Sequence, residues 1–114
     1  MLSLVLAIAL TLPFTSLLEF ARSGTPGPGL YSCGNQRPVL VARVGAGAGK
    51  TYRLVYEPMD YRFILSLMSE QGDMEYSWFG IIDSNEERSF RVEFEGAREE
   101  VMQRVPVLCD YLYR

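Results

Sequence analysis

Two cysteines and the absence of any histidine constrain this 114-residue chain more than any other feature. Cys33 and Cys109 stand so far apart that a bridge between them encloses nearly everything after the first segment. A lone pair in a small exported domain is most simply one disulfide, with two separate buried thiols as the alternative. The chain-entropy model gives such a bridge about 4 to 5 kcal/mol, a large share of what so small a core can supply. No metal is expected, because a cysteine pair without histidine lacks the remaining ligands. Nothing in the sequence asks for a cofactor.

Such a bridge needs an oxidising compartment, and the first segment supplies a route to one. Leu2 to Leu18 is almost wholly apolar, and no Lys or Arg precedes it, so the α-amino group is the positive end of a signal-type leader. Ala21 and Ser23 fit the −3 and −1 subsites of a signal peptidase, which places the cut after Ser23, with a cut after Ala21 as second choice. A membrane anchor is the alternative reading, but a span needs roughly 20 apolar residues, and Pro13 and Glu19 interrupt a run that is already short. The expectation is a signal peptide over residues 1–23 and a single secreted domain over residues 24–114, with no stable membrane association after cleavage.

Removing the leader takes away Glu19 and Arg22, so the remaining domain keeps the net charge of −3. That mild acidity is not the basic footprint of a dedicated nucleic-acid binder. Seven Tyr, six Phe and one Trp supply bulk for one core, with some tyrosines available to a recognition surface.

Along the domain, Gly24 to Gly29 alternates Gly and Pro and reads as a turn or a frayed arm. Val39 to Val44 and Thr51 to Tyr56 are β-type runs around the small-residue loop Gly45 to Lys50, together an N-terminal hairpin. Pro58 can open a helix, Tyr61, Ile64, Leu65 and Met68 recur at three-four spacing, and Gly72 is a stop signal. The spacing predicts a helix over Met59 to Gln71. Tyr76 to Ile82 reads as a strand, Asp83 to Arg88 as a polar turn, and Ser89 to Gly96 alternates Phe90, Val92 and Phe94 with Arg91, Glu93 and Glu95, a half-buried antiparallel strand. Ala97 to Val105 fits either a helix or a hairpin connection, and Val105 to Tyr113, carrying Cys109, reads as extended. The class is α+β, with one helix packed on an antiparallel sheet.

Two candidate chemistries fail on context. Val44 to Thr51, VGAGAGKT, is similar to a phosphate-binding loop, but Val44 stands where the motif needs Gly, and the residues after Thr51 favour a strand over the helix that must hold the phosphate. The carboxylate pairs Glu86 and Glu87, Glu93 and Glu95, and Glu99 and Glu100 have no titrating partner, and a solvated face accounts for them. Without histidine the commonest general acid or base is missing.

Tyr31-Ser32-Cys33 close behind the expected cut, a second cysteine in the last strand-like segment, and the order hairpin, helix, strands resemble the secreted candidate effectors of powdery-mildew fungi. Many of those Y-x-C proteins look like guanyl-specific ribonucleases of the T1 class. The resemblance extends to Phe90-Arg91-Val92-Glu93-Phe94, and implies a ribonuclease-like fold whose Cys33–Cys109 disulfide joins first strand to last. Arg91 would take the place of the catalytic arginine. Tyr76-Ser77-Trp78-Phe79 answers loosely to the family's glutamate strand, with Glu75 as an off-register substitute, so Arg91, Glu75 and Trp78 are the candidate binding residues. The family's histidines have no counterpart, which implies a scaffold that no longer cleaves RNA. The reading that follows is a secreted effector of α+β, ribonuclease-like fold, reaching a host plant cell and binding a host protein, with host RNA as the second partner class. A divergent ribonuclease using Glu75 or Glu93 with Arg91 is the alternative, and a disulfide-stapled extracellular module is a third.

Overall fold

The computed structural model describes residues 15–22, 27–82 and 90–113, with Leu18 described by its backbone alone. The expected cut after Ser23, the leader as far as Phe14, Gly24 to Pro26 and the polar turn over Asp83 to Arg88 lie outside the described residues. In chain order the elements are β1 (Thr15–Ser16), α1 (Leu17–Arg22), β2 (Gly29–Cys33), a 3-10 turn (Gly34–Gln36), β3 (Arg37–Arg43), β4 (Thr51–Met59), β5 (Arg62–Ser69), β6 (Met74–Ile81), β7 (Val92–Ala97) and α2 (Arg98–Leu112). They form one seven-stranded sheet in the order β1-β2-β3-β6-β5-β4-β7. The sheet is mixed, because β1 runs parallel to β2 while every other pair is antiparallel. The fold is α+β, with α2 as its main helix and a disulfide between Cys33 and Cys109.

Three local expectations give way. The helix over Met59 to Gln71 does not form: Asp60 and Tyr61 turn the chain from β4 into β5, with Asp60 at a left-handed φ of 53°. Three-four spacing is present there, but so is period-two spacing at Phe63, Leu65 and Leu67. The strand wins because all three bury on one face between β4 and β6. Pro58 lies where β4 extends past the end of β7, an edge on which a strand tolerates proline. The hairpin between the third and fourth strands does not form either, since β6 and β5 stand between β3 and β4 and the glycine-rich loop passes over their ends.

The last correction concerns Val105 to Tyr113, which is helical and not extended. Val101, Met102, Val105, Leu108, Cys109 and Leu112 are buried on one stripe of α2, and Pro106 is accommodated inside the helix. Glu99 and Glu100 in the first turn oppose the helix dipole. Helical spacing buries these six residues together, which a period-two strand would split between two faces.

The disulfide therefore ties β2 to the main helix and does not join two strands, with Cα atoms 5.1 Å apart. The approach is close enough to specify its neighbour: a Cβ on Gly34 would stand 2.6 Å from the backbone oxygen of Cys109. Both helices lie on the same side of the sheet. Val39, Val41, Leu54, Leu65, Leu67, Tyr76 and Trp78 project from the strands into that layer, where they meet Val101, Met102 and Val105 of α2 and Leu17 and Phe20 of α1. Burial of a side chain such as Leu17 or Phe20 is worth about 1.5 to 3 kcal/mol.

Candidate functional site

The strands that bury one face leave the other open. Along β3, Leu40 lies between the buried Val39 and Val41, and along β6, Phe79 follows the buried Trp78. Cross-strand pairing lines these outward residues up: Leu30 stands opposite Leu40, Leu40 opposite Phe79, Phe79 opposite Ile64, and Ile64 opposite Glu57. Leu30 and Leu40 are each half exposed, Phe79 is 40% exposed, and Ile81 two residues along β6 is 72% exposed. An apolar row thus crosses β2, β3, β6 and β5, about 14 Å at ordinary strand spacing.

The row ends in charge. On the same face at the β4 and β7 end, Arg91 Nη2 donates to Glu93 Oε1 at 3.0 Å, its Nε lies 3.8 Å from Glu57 Oε1, and Arg53 Nη1 lies 3.6 Å from Glu93 Oε1. The hydrogen bond that Arg91 donates to Glu93 raises the Arg91 pKa above its ordinary value. Apolar centre and mixed-charge margin together make a surface suited to a partner that covers the row and exchanges ion pairs at its edge.

The candidate binding residues are not brought together. Arg91 is exposed on the open face, whereas Trp78 is fully buried on the helix-covered face. Glu75 also faces the helices, for a local reason: Leu67 pairs with Tyr76 and Met68 with Met74, so Glu75 is the extra residue of a β-bulge. A bulge re-aims side chains that regular alternation would send the other way. The Glu75 carboxylate, 5% exposed, accepts from Arg98 Nε at 3.0 and 3.1 Å and from Arg98 Nη2. That bond raises the Arg98 pKa, and the pair pins the first residue of α2 to the sheet. Glu75 and Arg91 thus stand on opposite sides of the sheet, which removes their pairing as acid–base and electrostatic partners. Glu93 does lie beside Arg91, but as the shared ion-pair partner of two arginines.

The remaining motifs have structural employment. Tyr31 Oη donates to the Gly27 carbonyl at 2.6 Å and its ring meets Phe20 edge to face. The loop over Val44 to Lys50 leads into β4, and the backbone N–H groups of Lys50 and Thr51 donate to Glu70 Oε2 at 3.1 and 2.9 Å. A carboxylate of the chain itself occupies the donors that a phosphate would need. Among the described residues no group of three His, Cys, Asp or Glu side chains could hold a metal ion, and no helix is long and apolar enough to cross a membrane.

Sequence reading missed Leu30, Leu40, Phe79 and Ile81 as a surface. The signal was present in Val39-Leu40-Val41 and Trp78-Phe79, where apolar residues occupy both phases of a strand alternation. In a two-layer fold only one phase is covered. Comparison with protein-family models, with curated protein sequences and with solved structures finds no match.

Proposed function

We propose that this chain is a secreted, non-enzymatic effector that acts by binding a host protein on the open face of its sheet. The observation that carries the reading is the exposed cross-strand row of Leu30, Leu40 and Phe79 with ion pairs at one margin. Monomeric domains rarely leave such a row uncovered without a use for it. Export is supported by the leader and by the disulfide, which persists in oxidising compartments. The absence of histidine, the burial of Glu75 against Arg98 and the double ion pairing of Glu93 support a binding role over catalysis. The Y-x-C tripeptide and the strand around Arg91 support kinship with the ribonuclease-like effectors. The expected helix over residues 59–71 and a strand-to-strand disulfide would have supported that scaffold further, and neither is found.

The test compares wild-type protein with Leu40→Asp/Phe79→Asp and with Arg91→Ala as baits in host extracts, each variant first shown to be folded. A specific protein retained by wild type and lost from the double variant is expected, with weakened retention by Arg91→Ala. Guanyl-specific RNA cleavage by the refolded wild type, abolished in Arg91→Ala, would replace the binding role with a ribonuclease one.

A further inference from the structure

The two edges of the sheet are unequal. One is β1, two residues long, whereas the other is β7, whose outer side pairs with nothing among the described residues. Natural edges are commonly blunted by proline, lysine, a bulge or a very short strand. β7 runs over six residues in regular antiparallel register with β4 and contains neither proline nor lysine. Its alternation continues back past Val92: Phe90 lines one groove with Val92 and Phe94, and Arg91 bonds Glu93 on the opposite face. The edge therefore carries charge of both signs in one row, and the order of those charges selects what can pair with it.

Phe90-Arg91-Val92-Glu93-Phe94 is complementary to itself. When a strand pairs antiparallel with its own copy, residues equally far from the two-fold axis stand opposite each other, with Cβ atoms about 4.5 to 5.5 Å apart. With the axis at Val92, Arg91 faces the second copy's Glu93, Glu93 faces its Arg91, and Phe90 faces its Phe94. Neighbouring registers lack this match. An axis at Arg91 sets two arginines against each other, one at Glu93 sets two glutamates, and one at Phe94 sets Glu93 against Glu95 twice. An axis between residues puts the apolar face of one strand beside the charged face of the other. Main-chain hydrogen bonds supply the affinity of such strand addition, and the side-chain pairs fix its register.

The helix side of this edge is shaped for the same pairing. Phe90, Phe94, Val107 and Tyr111 line a groove of about 320 Å³ beside β7, and Phe90 and Val107 are 69% and 60% exposed. Arg104 lies over the Phe94 ring, 5.3 Å from its centre. In the register centred on Val92 the second copy's Phe90 comes opposite Phe94 and enters this groove, and the two-fold axis returns the contact. We propose that the chain forms a two-fold dimer by pairing β7 with the β7 of a second copy about Val92, which joins two seven-stranded sheets into one continuous sheet. The dimer leaves the row of Leu30, Leu40 and Phe79 uncovered and takes up only its charged margin, so it does not rest on the host-binding reading.

Charge reversal in the full chain, read by analytical ultracentrifugation, tests both the dimer and its register. Wild type is expected to show a concentration-dependent dimer at tens to hundreds of micromolar. Arg91→Glu and Glu93→Arg, each first shown to be folded by far-ultraviolet circular dichroism, are expected to associate at least about tenfold more weakly, because like charges then stand opposite each other. Mixed in equal amounts, the two variants recover the dimer, since each reversed side chain meets its opposite in the other chain. Val92→Cys is expected to cross-link to its own copy on mild oxidation and Phe94→Cys is not, as residue 92 alone lies on the axis. The native cysteines are held in their own bridge and do not compete. A wild type that stays monomeric at hundreds of micromolar, a dimer indifferent to both single reversals, or a mixture that associates no more tightly than its components overturns the proposal. Cross-linking of Phe94→Cys as fast as Val92→Cys also overturns it, since the axis then lies elsewhere.

Discussion

The two faces of the sheet are made by the same strands and the same alternation, yet they meet different demands. On the covered face, Val39, Val41, Leu65, Leu67, Tyr76 and Trp78 are nearly inaccessible and each has partners in α1, α2 or a neighbouring strand. On the open face, Leu30, Leu40, Phe79 and Ile81 are apolar and exposed among the described residues, and Arg53, Glu57, Arg91 and Glu93 form exposed ion pairs. Folding accounts for the first set. The second contributes less to stability, since its apolar side chains are only partly buried and exposed ion pairs are screened. Residues that stability does not explain are where binding is to be sought.

The largest test of this contrast removes what fastens the covered face. Cys109→Ser, or reduction of the bridge, should cost about 4 kcal/mol in a denaturant titration, because a long loop is freed in the unfolded chain and α2 is untied from β2. A loss below about 1 kcal/mol would mean that sheet packing alone holds the helix. Next in size, Leu67→Ala on the covered face should cost about 3 kcal/mol by opening a cavity. Arg98→Ala should cost about 2 kcal/mol by leaving the Glu75 carboxylate buried without its ion-pair partner. Replacing both members, as Glu75→Gln/Arg98→Met, should recover part of that loss; no recovery would show that the guanidinium contributes mainly by packing.

Alkaline pH separates the faces by a smaller effect. Burial raises the Tyr76 pKa above its ordinary value near 10, with the Glu75 charge adding to the rise and Arg43 opposing it. The unfolded chain then loses the Tyr76 proton before the folded one does. Stability from this residue is fully present below about pH 10 and is lost as pH rises through the folded-state value. The denaturation midpoint should fall above about pH 10, and the fall should be shallower in Tyr76→Phe. An equal fall in both variants would assign it elsewhere. Smallest of all, Ile81→Ser on the open face should change stability by no more than about 0.5 kcal/mol, since this side chain is 72% exposed, while weakening partner capture. A cost comparable to Leu67→Ala would show that the open face belongs to the core.

How far the sequence discloses this molecule follows from where alternation is unambiguous. Val39 to Val44, Thr51 to Tyr56, Tyr76 to Ile82 and Ser89 to Gly96 overlap β3, β4, β6 and β7, because period-two patterns with branched and aromatic residues leave little choice. The segment Phe63 to Met68 satisfies both periods, and only the neighbouring strands decide between them. Val105 to Tyr113 misleads through Pro106, which reads as a breaker yet sits inside α2. Strand neighbours were beyond reach, since nothing local to Val44–Lys50 says that β3 and β4 are separated by two strands. For the site, Arg91 was placed on an exposed strand edge as its alternation suggests. Glu75 was not legible, because a single bulge residue reverses the face that counting assigns to it.

The strand order also imposes a sequence of events. β4, β5 and β6 form a three-strand meander of neighbours both along the chain and in space and can assemble from local encounters, whereas the β2–β3 hairpin, also local but marginal as two strands alone, has to wait for the edge of β6 to exist. Cys33 must then remain an unpaired thiol through the early stages, because its partner stands on a helix that has no platform until the meander has formed. Oxidation seals an architecture already chosen. Pulsed hydrogen exchange during refolding should protect amides of β5 ahead of those of β2, and early capture of Cys33 by a small-molecule disulfide should slow the final step without delaying the first.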